Sequence, residues 1–306
     1  MPSLVPIQLT NSKSFQVRDY ALDDTLSSGQ AFRWQRQESS WVGIIGPRWV
    51  RLRSQTGAIT AETALPQSEW NWLIEYLQLE ADLPAILSSF PLDEPLRLAT
   101  NACRGLRLLR QEPWECLASF ILSSTKQIVQ IQQIIQLLCE RYGEPLTVGS
   151  GCAPAYSFPT AARLARTAES DLRACKMGFR APYLLATARA VAVGEVELDR
   201  VRQLPVDLAR AELMQLPGVG RKIADCVLLF AYGFQNAFPV DVWVRKALQQ
   251  LYFPRRRASP KKLARFSETY FGPYAGYAQQ YLFHYMRTRK SPSRSLAPVN
   301  AMGPTS

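Results

Sequence analysis

LMQLPGVGRKIADCVLLFAYG, residues 213–233, contains the clearest structural motif of this 306-residue chain. Two apolar-periodic segments flank the glycine turn LPGVG at 216–220. Glycine adopts positive φ without strain, so the pattern predicts two helices joined by a tight hairpin. Backbone N–H groups at the start of the second helix, aided by its dipole, are suited to bind a phosphate. We therefore predict a helix–hairpin–helix in which Gly218 and Gly220 hold one DNA backbone; an ordinary αα-hairpin is the alternative.

Lys222 is the second residue of the helix after this hairpin. A cation at that end opposes the helix dipole, at a cost of about 0.3–1 kcal/mol, and the conflict favours the neutral amine. A lysine nucleophile acts as the neutral amine, so Lys222 is a candidate for covalent catalysis. The alternative is that Lys222 only binds a phosphate. Cys226 lies one turn later on the same helix face, either as an apolar filler or, beside an ammonium, as a thiol with thiolate character.

Asp241 lies in AFPVDVWVRKAL, residues 237–248, where it predicts the N-cap of a helix that begins at Val242. Pro239 excludes a helix immediately before it. The chain between Lys222 and Asp241 is about one helix and a return loop long, which allows the carboxylate to approach the amine. Capping alone would explain Asp241. A lysine and a carboxylate without a metal motif nevertheless indicate covalent amine chemistry at a sugar carbon.

The charge of the chain is unevenly distributed. The net charge is +11; residues 1–110 hold 11 cations and 11 anions, whereas residues 111–306 hold 25 and 14. The whole excess therefore lies in the second half. A one-sided excess of cations favours a polyanionic partner, and a merely solubilising charge is the alternative.

Several protein classes are disfavoured by the composition. No window reaches the roughly 18 apolar residues of a membrane span, and the N-terminus lacks the pattern of a secretory signal. We expect an intracellular protein without membrane association. The six cysteines form no CxxC pair, and His284 is the only histidine. We therefore expect neither a zinc site nor an iron–sulfur cluster.

The first hundred residues carry the β-strand patterns. Val50 and Leu52 alternate with Arg51 and Arg53, which predicts a strand with one buried and one wet face. Polar or Gly-Pro breaks separate three β-rich segments, AFRW (31–34), WVGII (41–45) and RWVRLR (48–53). These segments predict a small antiparallel sheet.

Helical periodicity dominates after this sheet. Ser68 predicts the cap of a helix over 69–79, and Asp82 predicts a short helix through Leu87. Further helices are predicted at 113–124, 128–143, 181–194, 206–215, 221–232, 241–251, 260–270 and 275–288. The fold class is therefore α+β. We divide the chain into an N-terminal sheet domain (1–110), an all-α helix–hairpin–helix domain (111–290) and a tail disordered by composition (291–306).

The hairpin, the lysine that follows it and the later Pro-Val-Asp at 239–241 resemble the DNA glycosylase superfamily related to endonuclease III. Within it, the chain resembles the eukaryotic-type 8-oxoguanine DNA glycosylase/AP lyases. Four more segments carry this resemblance: SSGQAFRW (27–34), EPWECLASFILSST (112–125), MGFRAPY (177–183) and GPYAGYAQQYLF (272–283). The resemblance extends from about residue 8 to residue 288.

This resemblance implies a base-excision mechanism on damaged double-stranded DNA. The enzyme would extrude 8-oxoguanine, paired with cytosine, into a pocket. Lys222 would attack C1′, displace the base and form a Schiff base, and β-elimination would nick the strand 3′ to the lesion. Asp241 would stabilise the positive charge that develops on the sugar.

The resemblance also implies a set of base-recognition residues. Phe283 and Cys226 would sandwich the flipped base, and Gln279 would read its Watson–Crick edge. The Gly29 carbonyl would accept the N7–H that 8-oxoguanine has and guanine lacks. Gln279 and Phe283 are four residues apart on a predicted helix and so share a face.

Contacts to the DNA duplex are implied as well. Arg180 would contact the unpaired cytosine, Phe179 would wedge into the duplex, and Thr125 and Lys126 would fill the vacated space. Trp243 stands where the eukaryotic enzymes have a histidine that touches a phosphate. Carbonyl groups of the hairpin would bind a structural monovalent cation; they belong to Met214, Leu216 and Val219.

Some positions depart from the family pattern. Gln130 replaces a second cytosine-reading arginine, and Thr125 replaces an asparagine. With Trp243, these departures leave the preference for the opposite base open. We expect a monomer that requires no cofactor and acts in the compartment that holds the DNA. The alternatives are an alkylpurine DNA glycosylase of the same fold, which would lack the hairpin lysine, and a non-catalytic helix–hairpin–helix DNA-binding protein.

Overall fold

A computed structural model describes residues 10–124, 126–255 and 257–289. Thr125 and the predicted tail 291–306 therefore lie outside the described residues. The N-terminal part forms a five-stranded antiparallel sheet with the strand order β1-β5-β4-β3-β2. Its strands are β1 (Thr10–Gln16), β2 (Gln35–Gln37), β3 (Ser40–Ile45), β4 (Arg48–Gln55) and β5 (Ala58–Gln67).

Strand β4 has the two faces that its sequence predicts. Val50 and Leu52 are fully buried, Arg53 is exposed, and Arg51 forms an ion pair with Glu62 of β5. The buried side chains pack against apolar residues of the flanking helices, so the inner face of the sheet is one wall of a hydrophobic core. The predicted sheet with one wet face is confirmed.

The strand predicted at 31–34 is wrong. These residues form a loop, and pairing begins only at Gln35. Phe32 and Trp34 are both buried, but Phe32 packs into the core of the helical half and Trp34 into the core beneath the sheet. The β-rich composition of this segment reflects burial in two cores rather than strand pairing.

Four helices accompany the sheet: α1 (Leu22–Ser27), α2 (Asn71–Leu77), α3 (Leu83–Ser88) and α4 (Glu94–Ala102). The predicted cap of α3 is confirmed, because the Asp82 carboxylate accepts a hydrogen bond from the Ala85 N–H at 3.0 Å. The predicted Ser68 cap is wrong. Trp70 is buried beneath the sheet and occupies the N-cap position of α2, so the helix begins only at Asn71.

The second half is helical apart from one short strand pair, β6 (Pro145–Leu146) and β7 (Ala155–Tyr156). Its helices are α5 (Pro113–Leu122), α6 (Ile128–Tyr142), α7 (Ala161–Ala165), α8 (Glu169–Leu172), α9 (Ala181–Ala192), α10 (Leu198–Val201), α11 (Val206–Met214), α12 (Arg221–Val227), α13 (Val242–Leu251), α14 (Pro260–Thr269) and α15 (Ala275–Thr288). Helix α12 continues as a wider π-helical turn over Leu228–Tyr232. The predicted fold class, α+β with an all-α second half, is confirmed.

The two parts of the fold share packing surfaces. Leu83 of α3 and Leu96 of α4 belong to the hydrophobic core of the helical half rather than to the core beneath the sheet. The predicted division near residue 110 therefore stays a prediction. Within the described ranges, no helix is both long and apolar enough to cross a membrane.

Gly43 of β3 provides a test of the sheet core. A Cβ at this position would lie 2.6 Å from Cδ2 of the Trp34 indole. Trp34 is 2% exposed and donates a hydrogen bond to the Tyr76 hydroxyl at 2.8 Å. We expect Gly43→Ala to lower the free energy of unfolding by about 1–3 kcal/mol, because the ring has no free space to move into. Urea unfolding measures this change.

Ser54→Ala is the control for Gly43→Ala, because Ser54 is exposed on the neighbouring strand β4. It should change the free energy of unfolding by no more than about 0.5 kcal/mol. Equal stabilities of Gly43→Ala and the wild type would show that Trp34 does not pack tightly here.

Candidate active site

The predicted hairpin joins α11 to α12. The Val219 N–H donates to the Leu216 C=O at 3.1 Å, and Thr187 of α9 donates to the Pro217 C=O at 3.1 Å. Gly218 has φ +79°, and an added Cβ would lie 2.8 Å from the Tyr183 side chain. Both its backbone conformation and its packing therefore require glycine.

Gly220 differs from the expectation of positive φ. Its φ is −89°, in the extended region that any residue adopts, and an added Cβ would meet open space. Its carbonyl accepts the N–H groups of Ile223 and Ala224 at 3.0 Å, which starts α12. Gly218 and Gly220 are both exposed, so the first turn of α12 faces solvent as a phosphate-binding end would.

Lys222 is partly buried on the first turn of α12 and borders a large cavity. Its Nζ donates to the Ser123 Oγ at 3.2 Å and lies 5.1 Å from the centroid of the Phe120 ring. The Ser123 hydroxyl in turn donates to the Phe120 C=O at 2.7 Å, so its lone pairs face the amine. These contacts hold the amine at the cavity wall. Sequence reasoning missed both partners, because no motif marks a residue that approaches Lys222 from another helix.

Asp241 borders the same cavity as Lys222. It caps α13 as predicted, since its Oδ1 accepts the Val244 N–H at 2.7 Å. Burial raises the pKa of the Asp241 carboxyl, while its hydrogen bond to the Val244 N–H and the charge of Lys222 act in the opposite direction. Asp241 therefore caps α13 and also borders the cavity that Lys222 lines.

The cavity has a volume of about 410 Å³. The four predicted base-recognition residues border it together with the lysine and the aspartate: Gly29, Cys226, Gln279 and Phe283. Gln279 is 4% exposed, and its Oε1 has no hydrogen-bond partner among the described residues. A buried acceptor without a partner is costly, so this oxygen is suited to a ligand that brings a donor.

The loop that carries Gly29 is fixed from several sides. The Gln30 Nε2 donates to the Arg107 C=O at 2.8 Å, and the Gln30 Oε1 accepts the Leu109 N–H at 2.7 Å. From α15, Gln280 donates to the Ser28 C=O at 3.0 Å. Gly29 itself has φ +76°. The loop is therefore held at the cavity before any ligand enters.

Cys226 is a neutral thiol rather than a thiolate. It is 3% exposed, and burial raises its pKa to about 12, although the charge of Lys222 acts in the opposite direction. Of the two alternatives for Cys226, this favours the apolar filler over thiolate character, because desolvation outweighs the neighbouring ammonium. Cys226 is an apolar wall of the cavity.

The residues predicted to touch the duplex lie in different settings. Phe179 is 55% exposed, and Trp243 at the cavity rim is 40% exposed. Lys126 also borders the cavity. Arg180 is only 2% exposed, with its guanidinium 4.2 Å from the Phe179 ring centroid and Nη1 donating to the Met177 C=O at 3.3 Å. Its contact with an unpaired cytosine stays a prediction, and that contact requires the side chain to leave this burial.

Two family descriptions match the chain. "8-oxoguanine DNA glycosylase, N-terminal domain" matches residues 14–117, and "HhH-GPD superfamily base excision DNA repair protein" matches residues 118–273. A probable N-glycosylase/DNA lyase of Methanothermobacter thermautotrophicus is 30% identical over 89% of this chain and 95% of its own length. The N-glycosylase/DNA lyase OGG1 of Arabidopsis thaliana is 32% identical over 92% and 80%.

A solved structure has the same fold. The Clostridium acetobutylicum 8-oxoguanine glycosylase/lyase, in complex with double-stranded DNA containing cytosine opposite 8-oxoguanine, superimposes with a TM-score of 0.83 at 34% identity. The match covers 90% of this chain and 97% of that one. DNA-3-methyladenine glycosylases also match, at lower identity.

The neutral state of Cys226 has a testable consequence. Folded protein treated with iodoacetamide at pH 8 should keep Cys226 unmodified, because a buried thiol with a pKa of about 12 presents almost no thiolate. Peptide mass spectrometry measures the modification. Cys152, which is partly exposed, is the internal control and should react in the folded protein. Equal rates at Cys226 and Cys152 before unfolding would contradict the buried thiol.

Proposed function

The chain belongs to the HhH-GPD superfamily of base excision DNA repair proteins, with the N-terminal domain of 8-oxoguanine DNA glycosylases, and from this we propose how its cavity acts. It is a bifunctional enzyme, an N-glycosylase with DNA lyase activity that removes 8-oxoguanine paired with cytosine. One observation carries the assignment of its site: an amine, a carboxylate and a buried amide oxygen that has no partner among the described residues border a single cavity.

The cavity receives the damaged base after its extrusion from the duplex, because a stacked base is out of reach of the lysine. Phe283 and Cys226 contact the two faces of the base. The Gln279 Oε1 accepts a hydrogen bond from the Watson–Crick edge, where 8-oxoguanine presents N–H donors. The Gly29 carbonyl accepts the N7–H, which undamaged guanine lacks.

Lys222 performs the chemistry at the sugar. Its lone pair attacks C1′, and the glycosidic bond breaks with its electrons on the base, which takes up a proton. The amine then loses a proton, and the C1′–O4′ bond opens with its electrons and a proton on O4′, which gives the Schiff base. β-Elimination then cleaves the strand 3′ to the lesion. Asp241 stabilises the positive charge that develops on the sugar, and the contact with Ser123 aims the amine.

The hairpin and the cavity rim hold the DNA. Gly218 and Gly220 present backbone N–H groups to a phosphate, while Phe179 wedges into the duplex and Trp243 lies beside the backbone. Lys126 fills part of the vacated space, as does Thr125 outside the described residues. The backbone carbonyls of Met214, Leu216 and Val219 would hold a monovalent cation, which would supply positive charge near the bound DNA. The enzyme acts as a monomer and requires no other cofactor.

Lys222→Gln tests the nucleophile. The variant should bind 8-oxoguanine DNA like the wild type but lose base excision and covalent trapping by borohydride, because an amide has no nucleophilic amine. Single-turnover excision, gel-shift binding and borohydride trapping measure the three properties. Lys13→Gln, a lysine of β1 far along the chain from the hairpin, is the matched control and should trap normally. Normal excision by Lys222→Gln would refute the assignment of Lys222 as the nucleophile. Absence of trapping by the wild type would instead favour an alkylpurine glycosylase or a non-catalytic module.

Asp241→Asn separates catalysis from helix capping. Asparagine caps a helix about as well as aspartate, so α13 should keep its start and the protein its stability. The excision rate should nevertheless fall about a hundredfold to a thousandfold, because the charge opposite the developing cation is lost. Thermal unfolding and single-turnover excision measure the two effects.

The same carboxylate predicts a pH dependence in the wild type. Burial raises the pKa of Asp241 above its usual 3.8, so the excision rate should already fall with acidification above that pH, as the carboxylate takes up a proton. The part of this loss that comes from Asp241 should be absent, so the residual activity of Asp241→Asn should fall less steeply over the same pH range than that of the wild type. A fully active Asp241→Asn enzyme would reduce Asp241 to a helix cap.

A further inference from the structure

Arg287 borders the base cavity and has no role in the mechanism above. It lies on α15, one turn after Phe283 and two turns after Gln279, so the three side chains share one helix face. The Arg287 guanidinium carbon is 5.5 Å from the centroid of the Phe283 ring. A cation is therefore placed against the ring that contacts the flipped base.

The guanidinium also touches the loop that carries Gly29. Its Nη2 donates to the Ser27 C=O. A Cβ built on Gly29 would lie 3.1 Å from Nη1 of Arg287 and 3.5 Å from Cε1 of Phe283. Nη1 is therefore next to the Gly29 backbone, on the side where the Phe283 ring lies.

Arg287 is poorly compensated in this position. Burial lowers the pKa of its guanidinium, and no carboxylate among the described residues acts in the opposite direction. The group stays charged at neutral pH, since the pKa of arginine is ordinarily above 12. A half-buried cation without an anion is suited to a ligand that brings an acceptor or negative charge.

8-Oxoguanine carries such an acceptor next to the atom that Gly29 reads. Its N7–H donor is bonded to C8, and C8 carries the oxygen O8. In the proposed site, the Gly29 carbonyl and the guanidinium N–H next to the Gly29 backbone are therefore complementary to the N7–H and O8 pair. Undamaged guanine has neither the N7 proton nor O8.

We propose that Arg287 is a further base-recognition residue, whose Nη1 donates a hydrogen bond to O8 of the extruded 8-oxoguanine. This assignment rests on the proposed function of the cavity. The Gly29 carbonyl recognises the N7–H, and Arg287 recognises the neighbouring O8.

The contact also acts on the glycosidic step. When the C1′–N9 bond breaks, both electrons go to the base, which leaves as an anion and then takes up a proton. Part of this negative charge spreads onto O8, so a guanidinium at O8 stabilises the departing base more than the bound base. Cleavage of the strand at a preformed abasic site involves no base and gains nothing from Arg287.

Arg287→Met tests the proposal, because methionine retains packing against Phe283 without a charge. We expect single-turnover excision of 8-oxoguanine to slow about tenfold to a hundredfold, as for the loss of a charge-assisted hydrogen bond. Nicking of a preformed abasic site should stay within about twofold of the wild type. Arg287→Lys should recover part of the excision rate.

Arg289→Met is the matched control, since it removes the same charge two residues later, where the side chain bonds to Gln250 outside the cavity. It should leave both rates near those of the wild type. If wild-type enzyme traps and excises but Arg287→Met does so equally fast, only the assignment of Arg287 fails. If the wild type neither excises nor traps, the proposed function fails instead.

A substrate change separates contact with O8 from support of the Ser27 loop. 8-Thioguanine keeps the N7–H but replaces O8 with sulfur, a weak acceptor. The experiment measures DNA affinity in the Lys222→Gln background, with and without Arg287→Met. Adding Arg287→Met should weaken binding of 8-oxoguanine DNA about tenfold or more, and should weaken binding of 8-thioguanine DNA clearly less. Equal penalties for the two bases would overturn the contact and leave Arg287 as a support of the loop.

Discussion

The contacts that hold the Lys222 amine at one point of the cavity wall link the hairpin, α12 and the end of α5. A nucleophilic lysine must border the cavity that receives its substrate, and its amine must be aimed at one carbon. Helix α12 provides the first condition by carrying Lys222 into a cavity above the Phe120 ring, and the Ser123 hydroxyl provides the second. The hairpin sets the start of α12, and the tight fit of Gly218 against Tyr183 sets the hairpin.

In the proposed mechanism, the base is read mainly from α15 and the Gly29 loop, whereas the sugar is attacked from α12, which also contributes Cys226 to the base site. Lys222 lies on the first turn of α12, and Asp241 caps α13. Helix N-termini of this kind are suited to a DNA phosphate. Gln279, Phe283 and Arg287 lie along one face of α15. Arg287 donates from this face to the carbonyl of Ser27, the last residue of α1. Each set is therefore held by its own supporting contacts. Under the proposed roles, a substitution at Gln279, Phe283 or Arg287 alters which base is accepted and leaves the amine in place.

Local patterns in the sequence predict much of this arrangement. Caps such as Asp82 and Asp241, the hairpin glycines and the alternation at Val50 and Leu52 are short-range signals, and the structure has these elements. The segment 31–34 misleads because burial in two cores and strand pairing favour the same residue types. The protonation state of Cys226 also cannot be predicted from the neighbouring sequence. It depends on how completely neighbouring helices exclude water, and that desolvation outweighs the adjacent lysine.

Contacts between residues that are far apart in the sequence are not marked by any short sequence motif. Ser123 approaches Lys222 from the end of α5, and Arg287 reaches the Ser27 carbonyl from the last turn of α15. Yet these contacts decide how rigid the cavity is before DNA arrives. Gln30 donates to the Arg107 carbonyl, and Gln280 donates to the Ser28 carbonyl. The residues on both sides of Gly29 are therefore already fixed when a base enters. A site ordered in advance spends less binding energy on its own organisation, so one N–H of difference between two bases has a larger effect on which base is removed.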